Sequence, residues 1–247
     1  VTFMLFSFAA SGVYLINDIM DLESDKKHPI KRLRPLVLGR ITNPQSRIAS
    51  LILISIAISI SFIFNKDICW IIASYIALNL LYTKIFKNII IVDVACIGIF
   101  YYFRIMAGSL SSNIVLSNWI IVCTVLLALF LALGKRRYDL KVSRDPNLIY
   151  RKHNRHFINR IISIICAAIV IAYALYTLDQ HTIARFGTNH MIYTIPFVYY
   201  GIFRYLYLID KKGIDGDPTL ALLKDRKMQF NLLLWVMACI LVIYFKI

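Results

Sequence analysis

Eight long apolar segments constrain the fold of this chain more than any other feature of its sequence. The segments lie at about 1–17, 46–64, 69–83, 89–108, 118–134, 158–177, 190–209 and 228–245. Hydrophobic residues make up 60% of the chain and its mean hydropathy is +0.70, which excludes an ordinary soluble domain. Because backbone polar groups find no water in lipid, such spans form helices. The sequence therefore predicts an all-α, polytopic membrane bundle of about eight transmembrane helices, in a single domain over 1–247.

Lys and Arg residues are concentrated on one side of these spans. The connecting segments 25–47, 84–88, 135–160 and 210–227 contain 23 of the 28, and the loops on the other side contain 3. Cytoplasmic loops carry such an excess, so we expect this face in the cytoplasm and the chain in a bacterial inner membrane. The formal net charge of +15 favours contact with anionic lipid headgroups. Val1 then lies on the outer side, and we expect a further helix upstream of it.

An acidic cluster followed by a basic one comes directly after the first apolar segment. The stretch from Asn17 to Pro35 reads NDIMDLESDKKHPIKRLRP. Asp18, Asp21 and Asp25 are spaced by three and four residues, which on a helix places the carboxylates on one face beside Asn17. Such carboxylates repel each other unless a cation lies between them, and oxygen ligands suit Mg²⁺ with substrate phosphates. A solvated, charge-rich helix end would explain the basic residues, but not the carboxylates on one face.

The end of the third apolar segment carries a second group of polar residues. The stretch reads LLYTKIFKNIIIVDV, with Tyr82, Lys84 and Lys87 at the cytoplasmic end and Asp93 inside the next span. The two lysines fit either ordinary membrane anchors or phosphate ligands. Asp93 fits either an interhelical hydrogen bond or a substrate contact, because ionisable residues within spans usually face the protein interior.

Spacing and context exclude several other kinds of site. The five cysteines are scattered among the apolar segments with no CxxC, which predicts buried side chains and neither a disulfide nor a metal set. His153 and His156 are three residues apart, but nothing supplies a third zinc ligand. The basic loops lie between membrane spans and contain no nucleic-acid-binding motif, so no nucleic-acid partner is expected.

Taken together, these strings resemble the UbiA superfamily of intramembrane prenyltransferases. The resemblance rests on NDxxDxxxD at the end of an apolar helix, HPxKRxRP after it, LYTKxFKxxxxxDV and FRxxAG, and it covers the whole chain. It implies nine transmembrane helices around a cavity open to the cytoplasm and the bilayer, of which this chain supplies helices two to nine. It also implies that Mg²⁺ and a diphosphate are bound by aspartate-rich motifs, here with Asp18, Asp21 and Asp25 as metal ligands.

One string departs from the common pattern of that superfamily. Where its aromatic prenyltransferases carry a second acidic cluster, this chain reads GKRRYDLKVSRDPNLIYRKHNRH, with Lys135, Arg136 and Arg137 ahead of Tyr138 and Asp139. Three added cations suit a substrate with more anionic groups. The string is similar to that of the decaprenyl-phosphate phosphoribosyltransferase branch, whose donor is phosphoribosyl pyrophosphate and whose acceptor is a polyprenyl monophosphate.

The last charged segment is also similar to that branch. It reads DKKGIDGDPTLALLKDRKMQ and follows the string FRYLYL. Asp217 suits the cap of a short helix that begins at Pro218, and the amides of such a helix start suit an anion; a plain connecting loop is the other interpretation. The resemblance adds Asp217, Asp225 and Arg226 as substrate contacts, and Arg204 and Tyr205, which precede the loop, are expected to line the cavity.

The resulting hypothesis is a Mg²⁺-dependent transferase with one catalytic domain. It predicts transfer of a 5-phosphoribosyl group from phosphoribosyl pyrophosphate to a polyprenyl, decaprenyl-like monophosphate, with release of diphosphate. The reaction would be a step in making lipid-linked sugar donors for cell-envelope glycans. The alternatives are an aromatic prenyltransferase of the same superfamily, acting in quinone or haem pathways, and a membrane anion transporter.

This hypothesis assigns a role to each charged group described above. The predicted catalytic residues are Asn17, Asp18, Asp21 and Asp25. The predicted substrate-binding residues are Lys31, Arg34, Tyr82, Lys84, Lys87, Lys135, Arg136, Arg137, Tyr138, Asp139, Arg204, Asp217, Asp225 and Arg226. The lipid bilayer is a further expected partner, and a homo-oligomer is compatible with the sequence.

Overall fold

The computed structural model describes residues 1–27, 30–142, 152–210 and 218–245. All regular secondary structure in these ranges is helical, which confirms the predicted all-α class. Contacts between the described residues divide them into two compact units, one made of residues up to 116 and one made of residues from 117 onward.

The first unit is built, in its described part, from five α-helices and two short 3-10 helices. The α-helices are α1 (Thr2–Met20), α2 (Leu22–Lys26), α3 (Asn43–Phe64), α4 (Lys66–Lys84) and α5 (Ile90–Ser112). The 3-10 helices are Lys31–Leu33 and Phe86–Asn88. The core of the unit consists of apolar side chains mainly from α1, α4 and α5, with Ala57 from α3; among the others are Leu5, Phe6, Val13, Ile68, Ile72, Tyr75, Cys96 and Phe100.

Helices α1 and α3 approach each other closely at Gly12. The Ser50 hydroxyl of α3 donates a hydrogen bond of 2.7 Å to the Gly12 carbonyl. A Cβ atom added at Gly12 would lie 2.7 Å from Ile54 Cγ1 and 3.1 Å from the Ser50 carbonyl oxygen, so any side chain there would displace α3. Small residues allow such contacts between helices in membranes, where lipid gives no hydrophobic drive for helix association.

A single residue connects α3 to α4. Asn65 ends α3, and its side chain accepts hydrogen bonds from the amides of Asp67 (2.8 Å) and Ile68 (3.2 Å) at the start of α4. The N-terminal end of α3 has a capping box, in which the side chains of Thr42 and Gln45 each accept a hydrogen bond from the other's backbone amide. These caps satisfy amides that would otherwise lack partners at the helix starts.

The second unit contains, within the described ranges, six α-helices and one 3-10 helix. The α-helices are α6 (Asn118–Val142), α7 (Lys152–Leu178), α8 (Gln180–Phe186), α9 (Ile195–Asp210), α10 (Pro218–Lys224) and α11 (Arg226–Phe245). The 3-10 helix His190–Thr194 leads into α9. Helix α6 meets α9 at a second close approach, because a Cβ atom at Gly134 would lie 2.8 Å from Ile209 Cδ1 and 3.0 Å from the Tyr205 hydroxyl.

Seven helical segments of the described chain are long and apolar enough to cross a membrane. They are Thr2–Met20, Asn43–Phe64, Ile91–Ser112, Asn118–Tyr138, His156–Leu178, His190–Asp210 and Arg226–Phe245. The prediction of a multi-pass helical membrane protein is thereby confirmed. The remaining predicted span, 69–83, lies within α4, which is longer than predicted. This helix is less apolar than the seven segments above, because it carries Lys66, Asp67 and Lys84 near its ends and Asn79 within it.

The contact at Gly12 can be tested with a matched pair of glycine substitutions. Gly12→Ala should destabilise the protein in detergent by about 1–2 kcal/mol, because overpacking outweighs the helix preference of alanine. In Gly108→Ala the added Cβ would meet no atom within 4 Å, so this variant should melt at or slightly above the wild-type temperature. The measurement is thermal unfolding of both purified variants. Equal melting temperatures would contradict the close packing of α1 on α3.

Candidate active site

The aspartate motif lies where α1 gives way to α2. Asn17 and Asp18 are in the last turn of α1, Asp21 is the junction residue, and Asp25 is in α2. The amide of Asp21 donates to the Asn17 carbonyl (2.9 Å) and the amide of Asp25 to the Asp21 carbonyl (2.8 Å). Helical spacing is therefore kept across the junction, although the predicted single helix is interrupted at Asp21.

One guanidinium joins two of the three carboxylates. Arg34 Nη1 donates to Asp18 Oδ1 (2.7 Å) and to Asp25 Oδ2 (2.5 Å). The Asp25 side chain is only 3% exposed, whereas those of Asp18 and Arg34 are 30% and 36% exposed. The third carboxylate has a different partner, since Lys87 Nζ donates to Asp21 Oδ1. The three aspartates therefore gather around two protein cations, and not around one common point.

The end of α4 holds this motif in place. The side chains of Asn17 and Thr83 are hydrogen-bonded to each other. The neighbouring Tyr82 hydroxyl donates to Asp93 Oδ1 of α5 at 2.7 Å, and Asp93 is 1% exposed. This supports the interhelical alternative for Asp93. Sequence reasoning missed Thr83, because a lone threonine in an apolar segment carries no signal of its partner.

The oxygen atoms of this motif are suitable for Mg²⁺. Carboxylate oxygens of Asp18 and Asp25 already converge on a single cationic nitrogen, at 2.7 and 2.5 Å. Mg²⁺ is commonly bound by one or two carboxylates, with substrate phosphates and water completing the shell. Among the described residues, no three His, Cys, Asp or Glu side chains are placed to hold one metal ion. The arrangement therefore fits a metal that shares its ligands with a substrate.

In the second unit, two predicted substrate contacts pair with each other. Arg204 of α9 forms two bonds to Asp225, with Nε 3.1 Å from Oδ1 and Nη2 2.6 Å from Oδ2. Asp225 Oδ1 also accepts from the Met228 amide at 2.8 Å and so caps α11. The hydrogen bonds from Arg204, together with that amide, hold the pKa of the Asp225 carboxyl below its usual range. This pair fixes the start of α11 against α9.

The basic cluster GKRR lies in the last turns of α6. Arg137 Nη2 forms a 2.6 Å ion pair with Asp210 Oδ1 at the end of α9, and the Arg137 side chain is 18% exposed. Lys135 is exposed, and Arg136 and Tyr138 are half-buried. The sequence predicted a connecting segment from residue 135, but α6 continues to Val142, so the cluster is helical. The Asp139 side chain and the whole of Asp217 lie outside the described residues.

The other predicted substrate contacts lie at helix ends. Lys31 begins the 3-10 helix Lys31–Leu33, and Lys84 is the last residue of α4 and is exposed. Arg226 is the first residue of α11 and is also exposed. Each of these cations therefore lies at the first or last residue of a helix.

The second unit also contains an apolar cavity of about 440 Å³, and of its lining the sequence indicated only Tyr205. Phe130, Tyr205 and Trp235 are among its lining residues, and Leu222 of α10 contributes to one wall. Two polar groups of the lining bond each other, because Trp235 Nε1 donates to the Tyr173 hydroxyl at 3.1 Å. Aromatic residues scattered over α6, α7, α9 and α11 give no common sequence pattern, so only the fold brings them together.

These features define a polytopic helical membrane protein with carboxylates and cations gathered at the ends of its spans. The model of the UbiA prenyltransferase family matches residues 1–213. The chain belongs to this family and is a transferase, which confirms the resemblance derived from its motifs.

Its relatives include proteins from the branch that the GKRR string indicated. The chain is 30% identical to a decaprenyl-phosphate phosphoribosyltransferase of Corynebacterium glutamicum, over 99% of this chain and 75% of that protein. It is also 30% identical to the protein of the same name from Mycolicibacterium smegmatis, over 100% of this chain and 80% of that one. A UbiA homolog from Archaeoglobus fulgidus, solved with GPP and Mg²⁺, shares the fold with a TM-score of 0.70 at 15% identity, over 98% of this chain and 86% of that one.

The Arg204–Asp225 pair predicts how stability depends on pH. Because the pKa of Asp225 is lowered on folding, its ionised form stabilises the fold above the unfolded pKa of about 4, and this contribution is lost as pH falls through the folded pKa. Asp225→Asn should therefore melt several degrees below wild type at pH 7, and the difference should shrink below about pH 4. Asp67→Asn, at an exposed aspartate in the first turn of α4, is the control; it loses only the interaction of a charge with the helix start, so at pH 7 it should lower the melting temperature less than Asp225→Asn does. A difference that does not change with pH would contradict the assignment.

Proposed function

We propose that this chain transfers a 5-phosphoribosyl group from phosphoribosyl pyrophosphate to a polyprenyl monophosphate and releases diphosphate. The observation that carries the proposal is its similarity, over nearly its full length, to relatives named decaprenyl-phosphate phosphoribosyltransferase. The product would serve as a lipid-linked sugar precursor for cell-envelope glycans. Catalysis by one domain over 1–247, on a cytoplasmic face of the inner membrane, remains part of the same proposal.

The charge of the substrates supports this choice of donor. Phosphoribosyl pyrophosphate carries a 5-phosphate in addition to its diphosphate, and the acceptor lipid adds a third anionic group. A chain that binds them needs more cations than one that binds a single prenyl diphosphate. Lys135, Arg136 and Arg137 at the end of α6 are suited to this requirement, because arginine binds phosphate through two parallel hydrogen bonds.

The aspartate motif would hold Mg²⁺ in this reaction. Asp18 and Asp25 are the paired ligands that the geometry favours, and Asp21 completes the acidic group from the junction of α1 and α2. The bound metal would neutralise charge on the departing diphosphate. Asn17, which is fixed by Thr83, would orient a phosphate oxygen beside this group.

The chain's own residues would contribute mainly position and charge. A lipid phosphate is already ionised at pH 7, so it needs no general base to attack the anomeric carbon of the ribose. In the first unit, Lys84 at the end of α4 and Lys87 just after it would hold a phosphate in orientation; in the second unit, the cations of α6 would bind phosphate in the same way. Pre-positioned cations of this kind lower the barrier because they need not reorganise as charge develops.

A donor competition experiment tests the proposal directly. Purified full-length chain in detergent is given labelled phosphoribosyl pyrophosphate with a polyprenyl phosphate and, separately, geranyl diphosphate with 4-hydroxybenzoate. We expect ribosylated lipid in the first reaction, loss of that product when EDTA replaces Mg²⁺, and no prenylated hydroxybenzoate in the second. Prenylated hydroxybenzoate without ribosylated lipid would replace the proposal with the aromatic prenyltransferase alternative.

The basic cluster can be tested by a single substitution. Arg136→Ala should raise the KM for phosphoribosyl pyrophosphate about tenfold or more, since a lost charge-assisted contact costs about 1.5–3 kcal/mol. Arg185→Ala removes the same charge from an exposed position on α8 and should leave the KM unchanged. Initial rates at varied donor concentration separate KM from kcat. If both substitutions raise the KM equally, Arg136 does not contact the donor and contributes only through the net charge of the chain.

A further inference from the structure

Each aspartate of the motif contacts a protein cation that, in the proposed reaction, would bind substrate phosphate. Arg34 bridges Asp18 and Asp25, and Lys87 contacts Asp21. Both cations are also candidates for binding substrate phosphate. An N–H that already donates to a carboxylate is not available to a phosphate oxygen until that contact is released. Binding of metal and binding of phosphate are therefore linked through these contacts.

We propose that Arg34 is an exchangeable counter-ion of the metal site. It holds Asp18 and Asp25 together while no divalent cation is bound, is displaced when the cation takes its place between the two carboxylates, and then donates to the substrate diphosphate. The inference rests on the metal role in the proposed function and adds a second role for one residue of that site.

The need for a resident cation follows from burial. The Asp25 carboxylate is 3% exposed, and it lies beside a second carboxylate. A buried charge without a partner is strongly destabilising, and two close carboxylates repel each other. Arg34 satisfies both groups through one nitrogen, at 2.7 and 2.5 Å. The site can then persist as a folded structure before metal arrives.

The geometry also allows the exchange without unfolding. The carboxylates are carried by α1 and α2, whereas Arg34 follows the 3-10 helix Lys31–Leu33. Two hydrogen bonds of 3.0 Å hold the Arg34 backbone. The Arg34 amide donates to the Lys31 carbonyl, and the Leu38 amide donates to the Arg34 carbonyl. Its side chain is 36% exposed, so the guanidinium has an open side toward which it can turn. The exchange is therefore a side-chain rotation on a fixed backbone.

The exchange predicts opposite effects of one substitution on two ligands. Removing Arg34 removes a competitor for the carboxylates, so metal alone should bind more tightly. It also removes a donor to phosphate, so pyrophosphate should bind more weakly once metal is present. A residue that only supports the fold would weaken both. In the wild type each ligand should favour the other by the same factor, because coupling between two sites is reciprocal.

Calorimetry on the purified full chain in detergent can measure both affinities. Mn²⁺ is titrated alone, and inorganic pyrophosphate is titrated at saturating Mn²⁺. Arg34→Gln should lower the Kd for Mn²⁺ about tenfold and raise the Kd for pyrophosphate about tenfold, the scale of one charge-assisted contact. Arg32→Gln is the matched control, since it removes the same charge from an exposed residue of the same segment. It should leave both values within about twofold of wild type.

The outcomes separate this inference from the proposed function. If Arg34→Gln weakens Mn²⁺ binding or leaves it equal to the control, the exchange is wrong while the metal role stands. If neither wild type nor Arg34→Gln binds Mn²⁺, both fail. If the opposite shifts appear but no ribosylated lipid forms in the donor experiment, the exchange stands and the substrate assignment fails. If Arg34→Gln melts below the wild type, Arg34→Lys is measured as well. It keeps a cation of shorter reach, so its Kd values for Mn²⁺ and pyrophosphate should shift in the same directions as those of Arg34→Gln, but by less.

Discussion

The nearly buried carboxylate of Asp25 is the constraint on which the polar end of the first unit depends. A charge in that position requires an opposite charge, and Arg34 supplies it while also contacting Asp18. One guanidinium thus connects α1, α2 and the segment that follows the 3-10 helix. Thr83 and Lys87 bring the end of α4 to the same motif. The aspartates could not lie beside an apolar span without these partners from their own unit.

The second unit satisfies its charges in the same way. Arg137 pairs with Asp210 and Arg204 with Asp225, so cations of α6 and α9 are joined to carboxylates of neighbouring segments. Residues that look available for phosphate in the sequence are therefore partly engaged in ion pairs in the folded chain. A polyanionic substrate would have to compete with these carboxylates, which favours arginine, because its planar fork can contact two partners at once.

Sequence patterns captured the parts of this molecule that follow from local rules. Lipid permits only helices or closed barrels, so apolar length alone located the spans, and the spacing of Asp18, Asp21 and Asp25 indicated both the motif and the family. The partners of that motif were not predictable in this way. Arg34 lies sixteen residues from Asp18, and Thr83 lies sixty-six residues from Asn17, so their contacts depend on chain turns and helix packing that carry no periodic signal. Phe130 and Trp235, which line the apolar cavity together with Tyr205, were missed for the same reason.

The connection at Asn65 bears on how the chain enters the bilayer. One residue ends α3 and caps α4, so the two helices are joined with no slack and must lie side by side from the moment both are formed. Helix α4 is the less apolar of the two, since it carries a lysine at each end and a buried asparagine. Inserted by itself it would gain little from lipid, but as the second arm of a hairpin it would enter together with the strongly apolar α3. The helix that carries Thr83 to the aspartate motif would then depend on its neighbour for insertion.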